Sequence, residues 1–359
     1  MNRLEGFYRR MAVRGPKSAL EWALFLPLVP CGVLYGGLVR LRNALYLRGI
    51  RARERAAVPV VSVGNLTVGG TGKTPMVDWL IRYFLANDHR VAVISRGYGG
   101  KRRTGVQVVC SGQGPVLSAE DCGDEPFLLA RRNPRALVLV SPRRKEAVRT
   151  AVDTLGAQVI LLDDGFQHLA VARDFDIVLL DARRPFGNGH VLPAGLLREP
   201  KTGLARGHLF VLTRCPEHLF PSLPVAGTVV RCRHRLEQEA QRIDGGTETL
   251  ASLAGRKGVA FAGIAEPEGF FRSLREAGLN LAGEIAFGDH CSYGPGELNR
   301  LQAACVGADF LVTTEKDGVK LTASQLPLPC FQVPMALEFY EEGVLQSLLR
   351  PLLAKEKPL

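Results

Sequence analysis

Short apolar runs alternate with amphipathic segments through most of the chain, which is typical of α/β proteins. The runs that predict strands lie at residues 90–95, 106–110, 136–140, 159–162, 177–180 and 209–212. The segments that predict helices lie at residues 76–87, 125–132 and 143–155. Because the strands are apolar on both faces, we expect a mostly parallel sheet with helices on both sides. Ligands of such a sheet gather at the carboxyl ends of its strands.

A second, shorter α/β series begins at Gly258. Its predicted strands and helices lie at residues 259–262, 268–277, 280–287, 297–304 and 310–313. Residues 225–250, which precede it, are more polar and predict a β-like linker with a hairpin turn at Asp244. The expected parts of the chain are therefore an N-terminal segment, a first α/β domain, this linker and a smaller α/β domain, at residues 1–55, 56–224, 225–250 and 251–359.

The N-terminal segment has a different pattern. Residues 22–39 carry no charge, and the first 55 residues hold eleven Arg and Lys against three Glu, a net charge of +8. Such a run is barely long enough to cross a bilayer of about 30 Å. Residues that break or kink a single spanning helix interrupt it at Pro27, Pro30, Gly32, Gly36 and Gly37. We expect an apolar helix or hairpin in the membrane interface, with arginines on anionic head groups; a helix buried against the sheet is the alternative.

Composition sets the remaining limits. The chain has 359 residues, of which 46% are hydrophobic and 23% charged, enough for about two folded domains. Its eight cysteines have no paired spacing, which predicts reduced thiols rather than a disulfide framework or a zinc site. The net charge of +11 comes without aromatic–basic interleaving or a DNA-binding motif, so we expect no nucleic-acid partner.

The clearest chemical motif follows the first apolar strand. Residues 60–75, VVSVGNLTVGGTGKTP, run from a strand through a glycine-rich turn to a proline suited to a first helical turn. This order predicts a phosphate-binding P-loop, although Thr67 occupies the position of the usual first glycine; an ordinary glycine-rich turn is the less favoured alternative. The lysine of a P-loop reaches the β- and γ-phosphates of ATP, and its threonine holds Mg²⁺. The predicted ATP-binding residues are Gly69, Gly70, Thr71, Gly72, Lys73 and Thr74.

Acidic residues end two later strands. Asp163 and Asp164 follow the strand at 159–162, where P-loop enzymes place an acid that binds Mg²⁺ directly or through water. Helix capping is the alternative for this pair. Asp181 ends the next strand and is equally consistent with support of a metal site and with an arginine pair.

Two further segments offer acid–base groups. Asp124, in GDEP, precedes a helix and by spacing alone is more typical of a helix cap than of a base for an attacking hydroxyl. His290, in FGDH, follows a strand of the second series. A histidine there can orient a carboxylate across a cleft or serve the structure alone.

Cations also follow predicted strands. Arg96 and Tyr98 follow one strand, and Arg143 and Arg144 follow another. Arginines at strand ends suit phosphate groups, and a solvated surface is the alternative. Lys316 also follows a predicted strand, in the second series. Its sequence position is consistent with two roles, contact with nucleotide and stabilisation of a cleft between the domains.

In their order along residues 20–321, these motifs resemble the tetraacyldisaccharide 4′-kinases, the lipid A 4′-kinases of Gram-negative bacteria. The matching blocks are GNLTVGGTGKTP from Gly64, SRGYG from Ser95, GDEP from Gly123, DDGFQH from Asp163, LPAGLLRE from Leu192, FGDH from Phe287 and TEKDGVKL from Thr314. The DDGFQH and TEKD blocks are specific, whereas P-loops are widely shared. The family usually has two adjacent histidines after the aspartate of FGD, and the second is Cys291 here.

The resemblance implies ATP-dependent phosphorylation of the 4′-hydroxyl of a tetraacylated glucosamine disaccharide 1-phosphate, giving lipid IVA. It also implies work at the cytoplasmic face of the inner membrane, in contact with its anionic surface. Before the resemblance is considered, a P-loop kinase of a soluble metabolite and a membrane-associated ATPase switch are the competing hypotheses.

Roles for individual residues follow from the same resemblance. It implies that Asp124 is the catalytic base and that His290 assists it. It further implies that Lys73 and Thr74 contact the ATP phosphates and Mg²⁺, while Asp163 and Asp164 organise the metal. The residues implied as further phosphate or substrate contacts are Arg96, Tyr98, Arg143, Arg144 and Gln167.

Overall fold

The computed structural model describes residues 3–101, 104–220 and 222–353. The strands, in chain order, are β1 (Val60–Asn65), β2 (Val91–Ser95), β3 (Gln107–Ser111), β4 (Leu137–Val140), β5 (Val159–Asp163), β6 (Phe175–Asp181), β7 (Leu209–Thr213), β8 (Thr228–Leu236), β9 (Glu239–Arg242), β10 (Thr247–Thr249), β11 (Lys257–Ala262), β12 (Asn280–Ala286), β13 (Phe310–Thr314), β14 (Cys330–Val333) and β15 (Met335–Phe339). The helices are α1 (Arg3–Arg14), α2 (Ala19–Phe25), α3 (Leu28–Leu47), α4 (Lys73–Ala86), α5 (Ala119–Cys122), α6 (Asp124–Arg132), α7 (Arg144–Arg149), α8 (Leu250–Leu253), α9 (Pro267–Glu276), α10 (Pro295–Ala304), α11 (Glu315–Gly318) and α12 (Glu342–Leu349).

The larger sheet has nine strands in the order β15-β8-β7-β6-β1-β5-β2-β4-β3. Strand β1 lies at its centre and pairs in parallel with both β5 and β6. Strands β3 and β15 are antiparallel to their neighbours β4 and β8. We call this sheet and the helices packed on it the P-loop lobe.

Alternate residues of the central strands face opposite sides of this sheet, as the strand period requires. Val61 and Val63 of β1 belong to the same buried cluster as Leu80 of α4. Val60 and Ile160 belong to a second cluster with Ala147 and Val148 of α7. Both faces of the sheet are therefore covered by helices, and the predicted α/β fold with a mostly parallel sheet is confirmed.

The smaller sheet has the order β10-β9-β14-β13-β11-β12, and we call it, with α8 to α11, the second lobe. The sheets divide the chain differently from the predicted boundaries. Strand β8, from the predicted linker, extends the larger sheet, and β15 returns from the second lobe to pair with it. The chain therefore crosses between the lobes twice after residue 228, which a linear reading of strand patterns does not reveal.

The N-terminal segment forms three helices, of which α3 runs unbroken through Gly32, Gly36 and Gly37. The break falls at Leu26 and Pro27 instead, and Pro30 is tolerated because it lies in the first turn of α3. The glycines allow close packing: a Cβ on Gly32 would stand 2.9 Å from the carbonyl oxygen of Val191. The expectation that these glycines break the helix is therefore wrong.

The opposite face of α2 and α3 is apolar and exposed. It includes Leu20, Trp22, Leu24, Leu26, Val33, Leu34, Leu38 and Leu41. Within the described residues, one helical stretch, Ala19–Leu47, is long and apolar enough to cross a membrane by length and composition. One face of this stretch nevertheless packs on the P-loop lobe, with Phe25, Gly32 and Val39 buried.

Candidate active site

A cleft of about 1060 Å³ lies between the lobes, at the carboxyl ends of the central strands of the larger sheet. Its P-loop-lobe wall includes the loop after β1 together with the residues that end β2 and β5. Its second-lobe wall includes residues of α9, the segment after β12 and the start of α11. A cavity of this size is typical of small-molecule sites.

The P-loop joins β1 to α4. Gly72 immediately precedes the helix with φ +85°, a left-handed conformation that favours glycine, and Gly69 has φ +118°. The Lys73 ammonium lies 3.4 Å from Oδ1 of Asn65 and 3.5 Å from Oδ1 of Asp164. Because the first amides of a helix have no acceptor within the helix, the start of α4 presents donors for an anion beside this lysine.

The paired acids at the end of β5 have different surroundings. Asp163 is buried and accepts a hydrogen bond from the Ser95 hydroxyl at 3.0 Å. Burial, and then the charges of Glu125 and Asp164, raise the pKa of Asp163 to about 6. Asp164, with φ +49°, accepts from Nη1 of Arg198 at 2.8 Å through each carboxylate oxygen. Lys73 and Arg198 outweigh the effect of its burial and hold the pKa of Asp164 below its usual range.

Asp124 is the first residue of α6, and Gly123 occupies the cap position. Because Gly123 is the N-cap, Asp124 is already inside the helix and does not occupy the capping position that its spacing suggested. Its Oδ2 lies 3.7 Å from Nδ1 of His290 and 3.1 Å from the ammonium of Lys320. Burial raises the pKa of Asp124, but the nearby His290 and the charge of Lys320 outweigh burial and lower it overall.

The second lobe brings two lysines to adjacent carboxylates of α6. Lys316 lies 3.3 Å from Oε1 of Glu125, and Lys320 pairs with Asp124. The Lys316 ammonium also lies 3.2 Å from Nε2 of His290. An ammonium can only donate, so Nε2 is the acceptor and the ring proton is on Nδ1, which faces Asp124.

The predicted phosphate contacts have unequal positions. Arg96, Tyr98 and Arg144 line the cleft, and Nη1 of Arg144 donates to the carbonyl of Asp164 at 2.9 Å. The Arg143 side chain is 75% exposed and pairs with Glu146 of α7, so it does not reach the cleft. Arg144, the first residue of α7, and its neighbour Arg143 therefore point in different directions. The run of cations in the sequence does not show which of the two faces the cleft.

Gln167 is also occupied within the protein. Its amide donates to the backbone carbonyl of Asn65 at 2.9 Å and to Oε1 of Glu199 at 3.0 Å. It therefore connects the end of β1 to the last residue of the LPAGLLRE block. The Asp181 carboxylate likewise forms ion pairs within the protein, with Arg183 at 3.1 Å and Arg214 at 2.8 Å.

Two residues at the site were not singled out from the sequence. Arg198 binds Asp164, and Lys320 binds Asp124. Both stand inside blocks already quoted for the resemblance, LPAGLLRE and TEKDGVKL. Each is therefore a charged residue inside a block that carries the resemblance, but spacing from a strand end does not point to either one.

Comparisons with known proteins agree on one family. The family described as LpxK, tetraacyldisaccharide-1-P 4′-kinase, matches residues 24–354. A tetraacyldisaccharide 4′-kinase from Syntrophotalea carbinolica is 57% identical over 357 residues, which cover 99% of this chain and 100% of that protein. One from Geobacter sulfurreducens is 48% identical over 320 residues, covering 89% of this chain and 90% of that protein.

A solved structure is also similar. The crystal structure of LpxK from Aquifex aeolicus in complex with ATP superimposes with a TM-score of 0.78 at 31% sequence identity. The match covers 92% of this chain and 99% of that one. The likeness therefore includes both lobes and the cleft between them.

Proposed function

The chain belongs to the tetraacyldisaccharide 4′-kinase family, and from that premise we propose how its cleft residues carry out the reaction. The chain is an ATP-dependent kinase of lipid A biosynthesis. It phosphorylates the 4′-hydroxyl of tetraacyldisaccharide 1-phosphate, and the product is lipid IVA. The observation that carries the residue assignment is that Lys73, Asp163 and Glu125 of the P-loop lobe line the same cleft as His290 of the second lobe.

The P-loop binds the triphosphate of ATP. The residues assigned to it are Gly69, Gly70, Thr71, Gly72, Lys73 and Thr74. The Lys73 ammonium, held between Asn65 and Asp164, is positioned to move onto phosphate oxygens when they arrive. The neighbouring Arg144 and Arg198 add positive charge to the same wall, where phosphate groups of either substrate require it.

The donor groups beside Lys73 fit Mg²⁺. The Asp163 carboxylate is buried near two further carboxylates, Glu125 and Asp164, and a cation there would offset the repulsion that raises its pKa. Within the described residues no cluster of three or more His, Cys, Asp or Glu is arranged to hold a metal alone. This agrees with Mg²⁺, which commonly takes one or two carboxylates and completes its shell with phosphate and water.

Asp163 and the Thr74 hydroxyl would hold this ion. Asp164 contributes less directly, since Arg198 and Lys73 already engage its carboxylate. Bound Mg²⁺ supplies neutralisation of the charge on the β- and γ-phosphates.

Asp124 acts as the base. It accepts the proton of the 4′-hydroxyl as that oxygen forms a bond to the γ-phosphorus, and the bond from phosphorus to the β–γ bridging oxygen breaks to release ADP. The lowered pKa keeps the carboxylate ionised near neutral pH. Nδ1 of His290 lies 3.7 Å from Oδ2 of Asp124, close enough to approach the carboxylate and orient it when the acceptor is bound. The Cys291 thiol is not the group that faces Asp124, since its Sγ accepts from the backbone amide of Tyr293 at 3.4 Å.

The exposed apolar face of α2 and α3 rests on the cytoplasmic surface of the inner membrane. Each acyl methylene costs about 0.8 kcal/mol to expose to water, so a tetraacylated substrate is best reached at the bilayer. Arginines of α3 and the following turn, Arg40, Arg48 and Arg51, suit anionic head groups. The same helix contacts the DDGFQH block, because Arg42 donates to the carbonyl of Gln167 at 3.2 Å.

One experiment tests the proposed function. Purified protein is incubated with ATP labelled in the γ-phosphate, Mg²⁺ and the disaccharide 1-phosphate in detergent micelles. We expect label in a glycolipid whose mass increases by one phosphate group. Label that appears only as inorganic phosphate would support an ATPase switch instead, and transfer to soluble sugars without the glycolipid would support a kinase of soluble metabolites.

A further inference from the structure

A single ammonium group bridges the catalytic elements of the two lobes. Lys320, two residues after α11, has a side chain that is 11% exposed. Its Nζ lies 3.1 Å from Oδ2 of Asp124 at the start of α6. It also donates to the backbone carbonyl of Cys291 at 3.1 Å. One side chain therefore contacts both the carboxylate and the backbone next to His290.

The segment that carries His290 depends on outside partners for its conformation. His290 has φ +59° and Tyr293 has φ +51°, left-handed values that side chains other than glycine seldom adopt. Conformations of this kind cost on the order of 1–3 kcal/mol each and persist when surrounding contacts fix them. Two hydrogen bonds fix this segment. The amide of His290 donates to the Gly263 carbonyl at 3.1 Å, and Lys320 donates to the Cys291 carbonyl.

Lys316 and Lys320 are not equivalent, although they are four residues apart. Lys316 contacts Glu125 and the ring of His290, and its side chain is more exposed. Lys320 contacts Asp124 directly, and its second partner is a backbone group rather than a side chain. Removal of Lys320 would leave a half-buried carboxylate and a carbonyl without this partner, which costs more than loss of an exposed ion pair.

On the basis of the proposed function, we propose that Lys320 is a positioning residue for phosphoryl transfer. It holds the Asp124 carboxylate and the His290 segment together across the cleft, so that base and histidine face the acceptor hydroxyl as one unit. A base that swings freely loses alignment with the hydroxyl, and a misplacement of about 1 Å can cost about 100-fold in rate.

The charge of Lys320 has a second consequence. It is one of the groups that lower the pKa of Asp124, together with His290 and Lys316, against the effect of burial. Without Lys320 the pKa of Asp124 rises, and the base becomes protonated at a higher pH. A purely structural lysine far from the base would not move this titration.

The experiment compares Lys320→Met, Lys320→Arg and Lys257→Met in the glycolipid assay over a range of pH. Lys257 is the matched control, because it is an exposed lysine of the same lobe. We expect Lys320→Met to lower kcat by about 10- to 100-fold, with KM for ATP changed less than about twofold. The acidic limb of its pH profile moves to higher pH, Lys320→Arg recovers most of kcat, and Lys257→Met behaves as the wild type.

A mutant cycle with His290→Ala separates positioning from independent action. If Lys320 acts by holding the His290 segment, Lys320→Met costs much less in the His290→Ala background than in the wild type. Equal fold losses in both backgrounds, a loss confined to KM for ATP, or an unmoved acidic limb would each overturn the proposal.

Folding is checked by circular dichroism. Should Lys320→Met fail to fold, Lys320→Gln replaces it, and the same displacement of the acidic limb is required. A wild type that transfers phosphate to the glycolipid while Lys320 variants keep full kcat rejects this role alone. A wild type that transfers none rejects the proposed function.

Discussion

The P-loop lobe and the second lobe bring their functional groups to the cleft by different routes. In the P-loop lobe, Lys73, Ser95 and Asp163 each stand at or shortly after the carboxyl end of a buried parallel strand. In the second lobe, His290 and Lys320 stand in irregular segments and meet Asp124 only because the lobes pack together. In the proposed mechanism, the carboxyl ends of the strands therefore supply the nucleotide side of the reaction, and contact between the lobes supplies the acceptor side.

Because of this difference, we expect the two sides of the cleft to respond differently to substitutions. The groups at the sheet edge are fixed by β1, β2 and β5, whose residues are fully buried or nearly so. The groups of the second lobe are fixed by a few ion pairs and one strained segment. We expect substitutions on the nucleotide side to remove chemistry outright, and substitutions between the lobes to act through alignment.

The largest effect is expected from Lys73→Ala. It removes the cation that reaches the β- and γ-phosphates, so kcat falls by about 10²–10³-fold or more while the fold is kept. The measurement is glycolipid phosphorylation, with Lys257→Ala as the control and circular dichroism to verify folding. Substantial kcat in Lys73→Ala would contradict the P-loop assignment, and with it the assignment of the nucleotide side to the P-loop lobe.

Arg132→Met tests the contact between the lobes. Arg132 lies on α6 with its side chain 9% exposed, and its Nη1 is 2.9 Å from Asp78 of α4 and its Nη2 2.6 Å from Glu315 of α11. Its loss removes the cation that pairs with the buried Glu315, while Asp78 keeps its ion pair with Arg82 at 3.0 Å. Removal of one partner of a buried ion pair destabilises by about 3–5 kcal/mol.

Urea unfolding of Arg132→Met gives the change in midpoint. Arg131→Met is the control, because Arg131 lies beside it on α6 and donates to a neutral partner, Gln241, at 3.0 Å. An Arg132→Met protein as stable as the control would show that the lobes are not joined by this cluster.

The smallest effect on the chemistry itself is expected from the N-terminal face. Leu34 and Leu38 are four residues apart on α3 and are 67% and 59% exposed. Leu34→Glu with Leu38→Glu places two acids against anionic head groups, so binding to anionic liposomes falls by about tenfold or more.

Val306→Glu is the matched control, since Val306 is an 87% exposed apolar residue of the second lobe. Flotation with liposomes of anionic phospholipid measures the binding. Equal binding by the two variants would mean that the exposed face of α3 does not contact lipid.

The two lobes also differ in how much of their structure and site could be predicted from the sequence. Strands β1 and β5 are apolar on both faces and end in the P-loop and in Asp163, so their pattern alone indicated the fold and the nucleotide side. The return of β15 to the larger sheet leaves no local signal, because pairing partners in a sheet are set by tertiary packing. The roles of Arg198 and Lys320 have no local signal for a related reason. Each pairs with a carboxylate that is distant in the sequence, Asp164 and Asp124 respectively.

Two local features differ from what the local sequence predicts, or are not determined by it, for physical reasons. Gly32 and Gly36 suggested a broken helix, yet they lie where α3 approaches the backbone near Val191, and burial there outweighs their low helix propensity. Asp124 by spacing alone looked like a helix cap, and only the position of Gly123 and the contacts from the second lobe separate the two roles.

The central claim is that Asp124 is the base, held by the second lobe opposite the nucleotide. Its most direct test measures two quantities on Asp124→Asn, the Kd for ATP with Mg²⁺ and kcat for transfer to the disaccharide 1-phosphate. We predict a Kd within about twofold of the wild type, because the P-loop is untouched, and a kcat lower by about 10²–10⁴-fold. A nearly unchanged kcat, with folding intact, would contradict the account.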